Sequence, residues 1–491
     1  MQVNVDAAGE NIVGDAANEP SIAIDPTNPN RIAIGWRQFD TISSNFRQAG
    51  YAFSTDAGRN WTFQGVIEPG VFRSDPVLES HPAGHFVYYS LRQNFLTDLF
   101  ISFDRGESWP ARVNIPGGDK AWLTIDKSNG PGHGHVYAAW STAAGCCQNR
   151  TFTRSTDGGM TYMTAIALPS TPVFGTLAVG PDSELYVAGI NFPSGNNSNF
   201  VVARSLDASD AEVTPTFTSV GLSMGGAFRA SVGPNPGGLL GQVWIDVDRT
   251  DGPSRGHVYL MCSVDPPGGD PMDVTFSRST DGGQTWSAPI RVNDDVGNTT
   301  AWQWFGTMSV APNGRIDAVW NDTRNDPANL LSELMYAFST DGGLTWSANV
   351  VLSPPWDSRI GWPNQNKIGD YYDMQSDNVG VSLAYAATFN GEQDVYYLRI
   401  GPYDCNGNGV ADEDDVASGV SQDCNQNGIP DECDVRGDFD ADRAVTSDDV
   451  PGFAAALVIV DPDCSTLADM NTNGAADGDD IAHFVKVLYA E

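Results

Sequence analysis

The stretch RSTDGGQTW, residues 278–286, decides the fold because the chain writes it again and again. It returns as FSTDGGLTW from Phe338, RSTDGGMTY from Arg154, FSTDAGRNW from Phe53 and SFDRGESW from Ser102, with a worn copy, RSLDASD, from Arg204. The shared aspartates, Asp56, Asp104, Asp157, Asp207, Asp281 and Asp341, are spaced 48, 53, 50, 74 and 60 residues apart. A period of that size marks a repeated supersecondary unit. Each copy follows an alternating run such as MYAF or VTFSR and reads as a strand, a tight turn and a return strand. Ser and Asp hydrogen-bond the turn backbone, Gly supplies positive φ, and Trp opens the return strand with a large packing area. Equivalent copies in unit after unit read as structural staples rather than as catalytic groups.

A second repeat lies upstream of each turn. It consists of two mostly apolar strands, beginning at Pro20, Pro76, Ala121, Gly175, Gly241, Gly306 and Tyr371, seven pairs in all. Apolar strands of this kind are buried on both faces. A pair plus its turn hairpin makes a four-stranded sheet, and radial stacking of such sheets protects their edges. The expected fold is mainly β: a seven-bladed propeller over residues 1–402, with six blades as the alternative. The last unit supplies only three strands, ending in DVYYLRI at 394–400, and QVNVD at 2–6 is expected to contribute the fourth.

The boxes resemble the Asp-box (BNR) repeats of the sialidase superfamily. That resemblance implies that they sit between the third and fourth strands of each blade, away from the active site. It also implies an arginine cluster, a Tyr nucleophile paired with a Glu, and an Asp acid/base. The nearest parallels here are Tyr371, Asp370 and Asp75 as catalytic groups. Sequence alone supplies no Glu partner for Tyr371, and FRSDP at 72–76 stands where the family has Arg-Ile-Pro.

Propeller geometry selects site residues independently. The start of each innermost strand and the end of the second strand share one face. Those positions hold Glu19, Arg73, Asp75, Asp119, Lys120, Trp304, Phe305, Asp370 and Tyr371, and Arg37, Arg92, Asn321, Asp322 and Arg324. Arginine forks suit carboxylates, so Arg37, Arg73, Arg92 and Arg324, with Asp322 and Trp304, are the expected binding groups for an acidic sugar. Loop charges or inter-blade ion pairs are the plainer reading. The expected function is a sialidase-like propeller acting on or binding glycans; a non-catalytic glycan- or protein-binding propeller and a polysaccharide lyase are the alternatives. His85, His135 and His257 recur as GH(F)VY in loops on the opposite face and read as structural.

The formal net charge is −36, half of it in residues 404–491, which hold 21 Asp and Glu against Arg436, Arg443 and Lys486. So acidic a chain repels nucleic acid, and no run of 18 apolar residues is present to span a membrane. Four of the seven cysteines, Cys405, Cys424, Cys433 and Cys464, lie in this tail, where they could pair in three ways. Cys146, Cys147 and Cys262 complete the set; a vicinal bridge, two thiols or one bridge to Cys262 are all compatible with the sequence. The cysteines point to an oxidising compartment and hence to an extracellular or cell-surface location, although MQVNVDAAGENIVGD has no signal-peptide features.

Oxygen ligands recur in the tail at positions 1, 3, 5, 9 and 12 of four loops. They are Asp404, Asn406, Asn408, Asp412 and Asp415; Asp423, Asn425, Asn427, Asp431 and Asp434; Asp438, Asp440, Asp442, Thr446 and Asp449; and Asp469, Asn471, Asn473, Asp477 and Asp480. Hard oxygens at this spacing, with Gly at position 6, suit Ca²⁺; the third loop has Arg443 at that position. Apolar helical patterns follow the last two loops, at Val450, Phe453 and Leu457 and at Ile481, Phe484 and Leu488. Residues 403–436 resemble thrombospondin type 3 calcium repeats and 437–491 a type I dockerin. The resemblance implies attachment to a cohesin-like scaffold protein or a surface.

Overall fold

The computed structural model describes residues 1–195, 197–459 and 464–489. Residues 1–402 form a seven-bladed propeller of antiparallel, four-stranded blades. The innermost strands are Ala16–Ile24, Ser74–Ser80, Trp122–Ile125, Leu177–Val179, Trp244–Val247, Gln303–Val310 and Asp373–Ser376. Each packs against the next, and the seventh against the first, so the ring is closed. Blades 1, 2, 5 and 6 run in simple order from inner to outer strand. In blade 3 the outer strand shrinks to one bridge, Phe152 to Ile166. The seven strand pairs read from sequence are the inner two strands of the seven blades.

Blade 7 closes as expected. Its outer partner is the N-terminal segment: Gln2 bridges Tyr396, and Val3 N–H donates to Val395 O at 2.8 Å. Asn4 pins this pairing. Its side chain donates to Asp394 Oδ1 at 2.7 Å and accepts from Val395 N–H at 3.0 Å.

The boxes are the staples that the repeat implied. In all six copies the Ser hydroxyl donates to the Asp carboxylate at 2.7–2.8 Å. In five, the same hydroxyl accepts the N–H of a Gly four residues on. The Asp then holds the residue four further along, as Asp281 holds the Thr285 N–H at 2.9 Å and hydroxyl at 2.6 Å. In the worn copy Thr216 does this for Asp207 across a longer loop. Each turn also presses on the preceding blade. Gly343, at φ +79°, lies so close to Phe276 that a Cβ would stand 2.1 Å from its ring, and Trp346 meets the same ring edge-on at 5.3 Å. Trp61 of blade 1 packs on Tyr397 of blade 7 at 5.2 Å. The glycine is therefore required both by backbone conformation and by close approach.

Inter-blade hydrogen bonds add to this packing around the axis. Ser21 Oγ accepts Leu78 N–H, Thr176 Oγ1 accepts Ile245 N–H, and Asp373 Oδ2 accepts both Ser21 Oγ–H and Ile22 N–H.

The tail is stapled by disulfides Cys405–Cys433 and Cys424–Cys464. A vicinal bridge joins Cys146 to Cys147, and Cys262 is buried and free. Among the described residues there are four α-helices: α1 (Asp412–Ser418), α2 (Val450–Ile459), α3 (Ser465–Ala468) and α4 (Ile481–Leu488). The helices expected after the last two loops are α2 and α4, and their Phe453 and Phe484 rings stack at 4.0 Å. The helix α1, after the first loop's ligands begin, was not expected. Among the described residues no helix is long and apolar enough to cross a membrane.

Candidate functional site: the propeller axis and the tail loops

The axis is built in three layers. At the face where inner strands begin, Glu19 and Arg37 of blade 1, Asp75 of blade 2, Lys120 of blade 3 and Lys367 and Asp370 leading into blade 7 converge. Lys120 Nζ stands 2.6 Å from Asp370 and 3.7 Å from Asp75; Lys367 Nζ is 2.5 Å from Asp370, and Arg37 Nε is 2.5 Å from Glu19. Groups from four blades can meet in this way only at the centre of the ring. Three of them, Glu19 (φ 59°), Asp75 (φ 49°) and Lys120 (φ 54°), take left-handed backbone conformations. That costs roughly 1–3 kcal/mol each and persists only where the surroundings enforce it. Here it turns the charged side chains inward at the strand starts, where register shifts interrupt the ladders of blades 1 and 2.

Burial and charge set the protonation of this layer. Burial pushes Glu19 up to about 7, with Asp370 and Asp75 adding to the rise against Arg37 and Lys367. Burial would also raise Asp370, but Lys120, Lys367 and Arg37 outweigh it and hold that carboxyl well below the usual range. Asp75 is lowered in the same way, chiefly by Lys120 and Lys367. Asp119, beside Lys120, is likewise pushed up by burial, to about 6. The Glu19 Oε1 and the Arg37 Nη2 are buried with no hydrogen-bond partner among the described residues.

Beneath the charges lies an aromatic plug. Trp122 of blade 3 meets Trp244 of blade 5 at 5.2 Å and Tyr371 of blade 7 at 5.1 Å, both edge-on. The Tyr371 hydroxyl donates to the Pro76 carbonyl at 2.6 Å, and the residue is 1% exposed. Burial first, then the neighbouring Glu19, pushes its phenol well above the ordinary value. Below the plug, a cavity of about 360 Å³ runs along the axis, with Thr124, Asp246, Ser309 and Gln375 in its walls.

One wall residue has a measurable consequence. Asp373 is buried without a cation and its carboxyl is pushed up to about 7, burial being the main cause. A raised carboxyl contributes stability that is full below the unfolded value near 4 and is lost as pH rises toward 7. Asp373→Asn is therefore expected to raise the melting temperature at pH 8 and to lose that advantage by pH 4. Calorimetry at the two pH values reads this directly; an equal effect at both would refute it.

Of the groups expected from sequence, Glu19, Arg37, Asp75, Lys120, Asp370 and Tyr371 meet at the axis, with Asp119 3.6 Å from Lys120. Arg73, Arg92, Arg324 and Trp304 are engaged elsewhere. Arg73 and Arg92 share Asp98 within blade 2, at 2.7 and 2.5 Å, and Arg73 also pairs with Glu68. Arg324 is held by Asp322 at 2.7 Å and Asp294 at 2.6 Å. Trp304 is fully buried, with its indole N–H on Ser332 Oγ at 3.1 Å. Lys367, and the pairing of Glu19 with Arg37, were not assigned from sequence. A signal was present: Asn18-Glu19-Pro20 parallels Ser74-Asp75-Pro76 at the same point of successive blades.

The tail loops share one geometry. The position-1 aspartate accepts the N–H groups of positions 5 and 6, as Asp404 does from Asn408 and Gly409 at 3.0 and 2.8 Å, and likewise Asp423, Asp438 and Asp469. Position 12 closes over the loop: Asp415 receives Asn406 and Asn408, Asp434 receives Asn425 and Asn427, Asp449 receives Phe439 N–H, and Asp480 receives Asn471 N–H. Asp438, Asp440 and Asp442 bring carboxylate oxygens within 4.8 Å of one another. Arg443 takes φ 70° where Gly409, Gly428 and Gly474 take 81–90°, so the third loop keeps the turn. Position 9 serves as a clamp. Asp412 accepts Cys405 N–H and pairs with Arg59 of the first box at 2.9 Å; Asp431 accepts Cys424 N–H. The Thr446 N–H donates to Asp449, and Asp477 caps the turn before α4.

Residues 277–288 match the family model described as BNR/Asp-box repeat. No curated protein matches the chain in sequence. Among solved structures, a protein of unknown function from Dyadobacter fermentans is 14% identical, with 79% of this chain and 98% of that one covered and a TM-score of 0.44. The Hadza microbial sialidase Hz136 is 12% identical over 79% of this chain and 66% of that one, TM-score 0.40. A fungal AA5-family alcohol oxidase in complex with copper is 11% identical over 83% and 77%, TM-score 0.47. The chain thus carries a BNR/Asp-box repeat on a seven-bladed propeller.

Proposed function

We propose that the chain is an extracellular or cell-surface propeller that binds glycans without sialidase-type turnover, tethered by a calcium-loaded tail. The observation that carries this reading is the engagement of the catalytic and anion-binding candidates. The Tyr371 phenol is committed to the Pro76 carbonyl, and Arg73, Arg92 and Arg324 are each already paired with a carboxylate of this chain, Asp98 for the first two and Asp322 for the third. A nucleophile needs an adjacent base and an open approach, and a carboxylate-binding fork needs free N–H groups. Tyr371 has no open approach, and these three forks are engaged.

A second reading, a glycoside hydrolase of exo-sialidase-like type, is favoured by Glu19, whose carboxyl titrates near 7 beside Arg37. General acid–base work wants such a value. A screen of fluorogenic glycosides, sialosides first, separates the two. No turnover above buffer is expected from the wild-type chain, and none from Tyr371→Phe. Turnover abolished by Glu19→Gln would establish the hydrolase instead.

The tail oxygens suit Ca²⁺ in number and hardness. Positions 1, 3, 5 and 12 would hold the ion in each loop, and the ion would neutralise carboxylates that otherwise repel. A cohesin-like scaffold protein fits as partner for α2 and α4, on which Val450, Ile481 and Val485 remain exposed.

A further inference from the structure

We infer that the saccharide site lies on the box-bearing face, in the axial cavity below the plug, and that it selects neutral sugars; this rests on the glycan-binding reading above. The cavity does not end at the propeller. A second one, of about 350 Å³, lies between the propeller and the first tail loop, and the two share Lys127, Pro312, Gln375 and Ser376 as a common wall. Tyr403, Asp404 and Gly407 of the tail form its far side. The tail is held there by the Arg59–Asp412 pair, by Arg59 lying 4.0 Å over the Tyr403 ring, and by Asn30 donating to Cys405 O at 3.1 Å. The docked tail thus extends the funnel into a longer cleft. Each cavity is of the size that small-molecule sites occupy, about 300–1,000 Å³.

The chemistry of the walls defines the ligand. The cations that face the cleft are paired with acids of the same walls: Lys127 with Glu79 at 2.6 Å, Arg249 with Asp246 at 2.8 Å and Arg399 with Asp377 at 2.5 Å. No free positive charge remains there to favour a carboxylate or sulfate among the described residues. What remains is hydrogen-bonding capacity. The Ser376 Oγ and Asn378 Oδ1 are buried with no partner among the described residues, and both line the tail cleft. Such orphaned groups are costly to bury unless something satisfies them. Trp122 and Trp244 close the inner end. An apolar aromatic end, with side walls whose cations are already paired and which keep orphaned hydrogen-bonding groups, suits the alternating C–H and hydroxyl surface of an uncharged sugar. The charged mouth on the opposite face suits it less well, because segment 358–370 covers that layer and contributes Lys367 and Asp370 to it.

The test uses the full chain with calcium, titrated with neutral mono- and disaccharides and with sialic and glucuronic acids, binding being read by saturation-transfer NMR and by tryptophan fluorescence. Ser376→Trp fills the junction of the two cavities, and Lys127→Met removes a polar group from the shared wall while leaving the strands intact. Gln365→Ala alters the opposite mouth, where the Gln365 Oε1 accepts from Arg37 at 3.1 Å. Neutral sugars are expected to bind the wild-type chain, to bind at least tenfold more weakly to both cleft variants, and to bind Gln365→Ala unchanged. Binding lost in Gln365→Ala but kept in Ser376→Trp and Lys127→Met would move the ligand to the mouth and overturn this inference, leaving the glycan reading intact. A preference for the acidic sugars would overturn the ligand class. No binding by any sugar would remove both readings.

Discussion

Asp370→Ala is expected to destabilise the propeller by about 3–5 kcal/mol, the cost of breaking a buried ion pair by removing one partner. Asp370 is 1% exposed and receives Lys120 Nζ, Lys367 Nζ and the Leu239 N–H. Without it, Lys367 loses its carboxylate in a site already closed to water, and Lys120 keeps only Asp75 and Asp119 at 3.6–3.7 Å. The Leu239 N–H also loses its acceptor, while Asn235 nearby keeps its bonds to Gly369 O and Ile368 N–H. Denaturant unfolding should show a lower midpoint with an unchanged slope. Asp370→Asn keeps an acceptor for Leu239 and isolates the charge, so it should recover part of the loss. A variant within 0.5 kcal/mol of wild type would show that the cluster is idle and that the strained backbone at Glu19, Asp75 and Lys120 is set by something else.

Calcium removal is expected to have the second large effect, and to have it in the tail alone. A site that binds only the folded state adds about 2.7 kcal/mol at a ligand concentration 100 times its dissociation constant, and four loops multiply that contribution. Chelation should therefore move residues 404–491 into a separate transition at lower temperature while the propeller melts as before. The disulfides will keep the tail compact, so the signal to follow is loss of the α2–α4 contact through Phe453 and Phe484. Calorimetry with and without chelator, beside direct titration of the metal, checks both halves. An unchanged profile would end the calcium proposal.

The propeller was legible in the sequence because its information is repeated. One turn written six times, and one strand pair written seven times, specify the blade, the period and the closing role of QVNVD. The site was legible only in part. Propeller topology named the strand starts, and Arg37, Asp75, Asp370 and Tyr371 do converge there. It could not say which charges would neutralise one another. Arg73 and Arg92 are drawn to Asp98, which sits mid-blade in a strand that reads as ordinary core. Lys367 lies in an irregular segment with no repeat to register it. The aromatic plug was hidden for a related reason: Trp122, Trp244 and Tyr371 belong to three non-adjacent blades, and only closure of the ring brings them together.

The pairing of residues 1–4 with 394–397 has a consequence for how the chain is made. The N-terminal strand of the propeller waits, unpaired, for its last blade. Until then the growing sheet array has two open flanks, and exposed strand edges invite pairing with other chains. Locking the ring is a contact of the longest sequence separation, the kind that slows folding most. A nascent chain stalled before residue 394 should accordingly be protease-sensitive at both ends, and it should become resistant in one step once that strand has emerged.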